Sequence, residues 1–190
     1  GNQSPRYRYG VNLSARWNGI GLSVFLQGVG ARDWYPGSDA GMFWGKYGRP
    51  FFALIPSIHN YTDDMYSAER NNWDTAYWPR MTTYQSNGTK NWTRLLEIPN
   101  TRYIQSAAYL RVKNIQLDYS FPKHICSAIR LQGLKIYVNA ENLFTFTPLH
   151  KYAPNFDPEG LSYDSDFASA ADGYTYPILK SVTVGVNITF

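Results

Sequence analysis

Groups that could do chemistry are few in this chain, and their spacing limits what they could do. Asp118 and Glu141 fall on the polar sides of two alternating segments, and a carboxylate pair can perform acid and base work across a substrate. Nothing in the sequence brings them together, so they read as polar wall residues and no catalytic role is expected. Asp157, Glu159, Asp164 and Asp166 are hard oxygen ligands of the kind calcium takes, but the register of an EF-hand is absent and a solvated acidic loop is the simpler reading. The single cysteine, Cys126, excludes an internal disulfide and reads as a small apolar turn residue; His59, His124 and His150 are too scattered for a zinc spacing. Neither a metal nor a cofactor is expected.

Aromatic rings are abundant instead: 16 Tyr, 10 Phe and 6 Trp. Trp34, Tyr35, Trp44, Tyr47, Trp73, Tyr77, Trp78 and Tyr84 lie in one irregular stretch, where they could stack on sugar faces, meet a partner protein or pack together. The candidate substrate contacts are Trp73, Trp78 and Tyr84 from this stretch, with Tyr137 and Glu141 from the alternating segments. A formal charge of +4 over 190 residues, with no block of five like charges, argues against nucleic-acid binding. Asn-x-Ser/Thr strings begin at Asn2, Asn12, Asn60, Asn87, Asn91 and Asn187, but Asn12 and Asn187 fall inside expected strands, so these reflect composition.

The elements that must position these groups are strands. In Lys180 to Phe190 the side chains of Val182, Val184, Val186, Ile188 and Phe190 alternate with Ser181, Thr183, Gly185, Asn187 and Thr189. A tilted strand needs roughly 9 to 11 residues to cross a membrane, and this one is long enough. Tyr7 to Trp17 alternates in the same way, and Asn18-Gly19 is a strong two-residue hairpin signal that returns the chain through Ile20 to Gly30. Further strands are expected over 109–121 and 134–146, and the last over 178–190. In 109–121, Leu110 and Val112 fall on the opposite phase to Ile115, Leu117, Tyr119 and Phe121. Either a bulge lies near Lys113 and Asn114, or Arg111 and Lys113 sit beyond an apolar band facing lipid headgroups, and the second is preferred.

Between the strands, 31–108 and 147–177 are long loops, and Thr62 to Arg70 could form a short capped helix. Connections that run short, long, intermediate, long match a transmembrane barrel, with tight periplasmic turns and long extracellular loops. On that topology Trp17, Phe121 and Phe190 share the periplasmic rim, and Phe190 would guide barrel assembly through an exposed final strand. Mean hydropathy is negative, as expected where apolar residues are spread through alternating strands. Five strands cannot close, since open edges would leave unpaired backbone groups in hydrocarbon; the chain is therefore expected to be the C-terminal portion of a larger barrel. Gly1 to Arg8 is polar and no signal peptide is legible, so an exported protein would carry its leader upstream.

Specific strings carry a family resemblance. YLRVKNIQLDY at 109–119, followed by Ser120-Phe121-Pro122, is one; IYVNAENLFTFT at 136–147, FDPE at 156–159 and YPILKSVTVGVNITF at 176–190 are others, with WDTAYWPRM at 73–81. These resemble the C-terminal barrel of SusC/RagA-like TonB-dependent transporters of the Gram-negative outer membrane. The resemblance implies an all-β fold, a plugged barrel of about 22 strands, a SusD-like surface lipoprotein as lid and TonB as energy relay through an N-terminal plug. It also implies oligosaccharide or peptide import and a homodimer of the transporter and lid pair. The plug and the TonB-contact segment are not in this chain. On this reading Ser181, Thr183, Asn187, Tyr137, Asn139 and Glu141 line a nonenzymatic lumen. The rivals are a soluble carbohydrate-binding β-sandwich and a passive porin-like channel, and alternation alone leaves them open because it does not say which face is wet.

Overall fold

In a computed structural model of the protein, the residues described are 1–35, 66–77, 100–154, 156–161, 176 and 178–190. Trp44, Tyr47, Trp78, Tyr84, Asp164, Asp166 and the first half of the expected Thr62–Arg70 helix lie outside them; residues 68–71 form turns. The elements are β1 (Arg8–Trp17), β2 (Ile20–Val29), β3 (Asp33–Trp34), β4 (Gln105–Ser106), β5 (Tyr109–Ser120), α1 (Lys123–Ala128), β6 (Gly133–Phe146), a 3-10 turn (Pro148–Lys151) and β7 (Ser181–Thr189). The fold is all-β. The long strands form one antiparallel sheet in the order β1-β2-β5-β6-β7, with β1 and β7 at its edges, while β3 and β4 pair by themselves.

The sequence dictates this arrangement locally. Asn18 and Gly19 adopt φ of 46° and 87°, both left-handed, the mirror-type turn whose twist matches two antiparallel strands, and Trp17 pairs with Ile20 directly across it. Alternation then keeps the apolar side chains in register from strand to strand. One row runs Ala15, Leu22, Leu117, Val138, Val184, and the next runs Trp17, Ile20, Tyr119, Ile136, Val186.

The break in phase at the start of β5 is a bulge. The register with β2 skips Lys113: Phe25 pairs with Asn114 and Leu26 with Val112. On the other side, Val112 pairs with Phe144 and Asn114 with Glu141, so Asn142 and Leu143 together oppose Lys113, and Asn142 takes φ of 54°. The extra residue rotates Leu110 and Val112 back onto the apolar face. Arg111 goes to the polar face, where it is buried and its Nε donates to Thr145 Oγ1 at 3.0 Å. The preferred expectation, an unbulged strand with Arg111 in the headgroup zone, is therefore corrected: a bulge costs one unpaired residue, whereas an out-of-phase strand end would put every following side chain on the wrong face.

The chain divides into two compact units. One comprises 5–31, 108–147 and 178–190 and contains the five-stranded sheet; the other comprises 1–4, 32–107 and 148–177. The second has its own core of Trp34, Tyr35, Tyr103, Ala107, Leu149, Ala153, Phe156 and Leu161, with Tyr77, Ile104 and Tyr152 packed against it. No helix among the described residues is long and apolar enough to cross a membrane, which says nothing about crossing by strands.

Candidate functional site

The sheet presents two unlike surfaces. On the apolar face Leu117, Ile136 and Val184 are 51%, 42% and 72% exposed, so among the described residues the side chains with most to gain from burial stand largely in the open. Rows of rings bound this face: Trp17, Tyr119 and Phe121 at the turn end, Tyr9, Phe144 and Phe146 at the other. A β-sandwich would bury this face against a second sheet, and among the described residues no second sheet lies on it.

The polar face is organised by glycines that let long side chains lie flat across a neighbouring strand. Arg16 on β1 passes over Gly21 to reach Asp118 on β5; its Nη2 donates to Asp118 Oδ2 at 3.0 Å and its Nη1 to Ser120 Oγ at 3.2 Å. A Cβ on Gly21 would fall 2.7 Å from Asp118 Oδ1. Lys135 Nζ, diagonally opposite on β6, lies 3.3 Å from the same carboxylate, which is buried between the two cations. Asp118 is thus a doubly paired wall residue that joins three strands.

Tyr137 is seated in the same way. Asp118, Tyr137 and Gly185 form one row across β5, β6 and β7, and a Cβ on Gly185 would meet Tyr137 Cζ at 2.3 Å. The ring therefore lies over the glycine and turns a flat surface away from the sheet. Four residues along β6, Glu141 is exposed; its Oε2 accepts from Ser181 Oγ at 3.1 Å and its Oε1 from Asn139 Nδ2 at 3.4 Å. Asn139 Oδ1, beside it, has no protein donor. Among the expected contacts, Tyr137 and Glu141 thus share the polar face with Asn139 and Ser181. Asp118 pairs with Tyr137 across the strands, and no hydrogen bond joins it to Glu141.

The second unit uses its rings differently. Trp34 is almost fully buried and packs on Phe156 with centroids 5.4 Å apart; Tyr77 stacks on Tyr152 at 3.9 Å and meets Tyr103 edge-on at 5.5 Å. Gln105 Nε2 donates to Tyr77 Oη at 2.7 Å and to Tyr103 O at 2.9 Å. Burial pushes the Tyr35 phenol up to about 12, with Tyr103 adding to it; burial likewise takes Tyr77 up to about 12 against the opposing hydrogen bond from Gln105. Tyr103 is raised by burial as well. The buried Arg32 guanidinium donates to the carbonyls of Gln3, Pro158 and Leu161 and so ties three separate segments. Trp34, Tyr35 and Tyr77 are packing residues, whereas Trp73 is 68% exposed. Asp157 Oδ1 accepts from the Glu159 amide at 2.9 Å, and no group of metal-ligating side chains occurs among the described residues. Cys126 is buried in α1 with its Sγ 3.7 Å from Phe121 O.

Comparison with known proteins gives these features a context. No family model matches the chain. In sequence it is similar to two Formosa agariphila proteins. TonB-dependent receptor P3 is 31% identical over 96 residues, covering 47% of this chain, and TonB-dependent receptor P26 is 26% identical over 96 residues, covering 48%. The chain spans only 9% of the length of either. In fold it superposes on the RagAB peptide transporter with a TM-score of 0.58 at 18% identity, covering 95% of this chain and 17% of that one. An open antiparallel sheet with an uncovered apolar face fits a segment cut from a closed wall. In sequence about half of the chain is similar to TonB-dependent receptors, and in fold the chain is similar to a stretch of the RagAB peptide transporter.

Proposed function

We propose that this chain is part of the wall of an outer-membrane, TonB-dependent import barrel, with the apolar face of the sheet against acyl chains and the polar face along an aqueous lumen. The observation that carries this reading is the uncovered apolar row of Leu22, Leu117, Val138 and Val184 flanked by aromatic residues. Soluble monomers rarely expose contiguous apolar patches beyond a few hundred Å². In a bilayer the same face needs no cover, and β1 and β7 pair with neighbouring strands of the barrel because unpaired backbone groups in hydrocarbon cost several kcal/mol each.

The finer roles follow from that placement. The Asn18-Gly19 turn and the 122–132 connection face the periplasm, and 31–108 and 147–177 lie outside the cell and meet a SusD-like lipoprotein, with the pair assembling as a homodimer. Cargo is an oligosaccharide or a peptide. The Tyr137 ring, laid flat over Gly185, is a stacking platform for it, while the exposed Glu141, oriented by Asn139 and Ser181, accepts hydrogen bonds from its hydroxyl or amide groups. Trp73, Trp78 and Tyr84 supply contacts at the outer entrance. No covalent chemistry is involved, and energy enters through TonB and the plug.

Uptake of labelled oligosaccharide and peptide pools by cells making the full-length protein tests this reading, with and without TonB and the neighbouring lipoprotein. Import of one pool that requires both is the expected result. Import that persists without TonB would indicate a passive channel, and recovery of the protein in the soluble fraction would overturn the membrane placement.

A further inference from the structure

At the end of the sheet nearest the Asn18-Gly19 turn, the connection from β5 to β6 folds as α1, and the way that helix stops is unusual. The Leu131 amide donates to Cys126 O at 2.9 Å and the Arg130 amide to Ser127 O at 3.0 Å, the paired bonds of a Schellman cap. The residue that turns left-handed in that cap is Arg130, at φ of 59°. Glycine is the common occupant, because a Cβ is disfavoured there. An arginine occupies that place against a conformational penalty, and it puts an exposed cation on the rim.

The surroundings say what the guanidinium faces. Within 122–130 every residue except Phe121's neighbour Cys126 is exposed, Ile125 at 40% and Ile129 at 54%, so two isoleucines one helical turn apart stand in the open beside Lys123 and Arg130. No acidic residue occurs between Asp118 and Glu141, and among the described residues no carboxylate pairs with Lys123 or Arg130. The segment continues directly from the apolar face: Phe121, whose amide donates to Leu134 O at 2.9 Å, packs edge-on against Tyr119, and Trp17 closes the same end of the sheet. Exposed aliphatic side chains beside uncompensated cations are the pattern of an interfacial segment on an anionic lipid surface.

We propose that the 122–131 connection binds anionic phospholipid headgroups at the turn-side rim, with Arg130 and Lys123 holding phosphate oxygens and Ile125 and Ile129 entering the acyl boundary. This rests on the membrane-wall reading above. The test uses the full-length transporter purified in mild detergent, exposed to equimolar phosphatidylglycerol and phosphatidylcholine and examined by native mass spectrometry for retained lipid. Wild type should retain phosphatidylglycerol preferentially. Arg130→Gly removes the cation and also relieves the left-handed strain, so it should lower phosphatidylglycerol retention roughly fivefold, the effect of about one surface cation, while the thermal midpoint stays level or rises. Adding Lys123→Ala should deepen the loss, and Arg130→Lys should restore most of it. Unchanged retention in the double variant, equal retention of the two lipids by wild type, or lipid loss accompanied by a lower midpoint in Arg130→Gly would each overturn the proposal. A protein that stays dispersed without detergent would instead refute the membrane wall, so the two failures are distinct.

Discussion

An arginine placed at successive depths on the apolar face of β5 should reveal what that face touches. Ile115, Leu117 and Tyr119 point to the same side, each paired with apolar partners on β2 and β6: Val24 and Ala140, Leu22 and Val138, Ile20 and Ile136. Tyr119 lies in the ring row beside the turn, Leu117 one row deeper and Ile115 two. Arginine on the lipid face of a barrel costs about 2–4 kcal/mol near the bilayer midplane and about 0–1 near the interfaces. Ile115→Arg should therefore cost about 3 kcal/mol, Leu117→Arg about 2 and Tyr119→Arg under about 1, where 2 kcal/mol is roughly a thirtyfold shift in the folding equilibrium. Gln116→Arg, on the polar face between Ser23 and Asn139, is the control and should stay within about 0.5 kcal/mol. The assay is urea unfolding of the full-length protein from lipid vesicles, read by the mobility of unheated samples in gels. If Ile115→Arg and Leu117→Arg prove as harmless as Gln116→Arg, the apolar face is not in lipid and the reasoning fails.

Other expectations concern the polar face and the ring-rich unit. Gly185→Val should drive Tyr137 off its seat and cost about 1–3 kcal/mol by overpacking, and a Tyr137→Ala background should remove most of that penalty in a double-mutant cycle of unfolding free energies. Trp34→Ala should cost the second unit about 3–5 kcal/mol, seen as early protease cleavage within 32–107 while the five-stranded sheet stays uncut. Tyr35 and Tyr77 titrate above their ordinary value of 10.0, so their neutral forms are favoured in the folded state. That contribution is complete below pH 10 and is lost as pH rises towards about 12, so the near-ultraviolet dichroism of this unit should collapse in that window, together with the appearance of tyrosinate absorbance.

What could be read from the sequence followed the reach of each interaction. Alternation and the Asn18-Gly19 turn are local, so the five long strands and their antiparallel order were legible, although the last strand begins at Ser181 and the loop at 122–132 holds a helix. That helix has six residues, too few to show a period, and its cap relies on an arginine where glycine would have signalled it. The phase break at Lys113 admitted either a bulge or a strand end in the headgroup zone, and the choice between them depends on Asn142 and Leu143 in a different strand. The ring-rich core was legible only in part for the same reason: packing was one of the open readings for Trp34 and Tyr77, but Trp34, Tyr77, Tyr103 and Phe156 come from four separate segments, and nothing local says that they meet. Arg32 gave no hint of burial, since its three acceptors are backbone carbonyls that carry no sequence signature.

The central claim is that one side of the sheet borders acyl chains and the other borders water. Spin labels placed singly along β6, at Val138, Asn139, Ala140 and Glu141 of the full-length protein in vesicles, test it most directly through collision with oxygen, which concentrates in lipid, or with a water-soluble nickel chelate. Labels at Val138 and Ala140 should relax with oxygen and those at Asn139 and Glu141 with the chelate, alternating residue by residue. Uniform access of the nickel chelate at all four positions would place both faces in water and contradict the account.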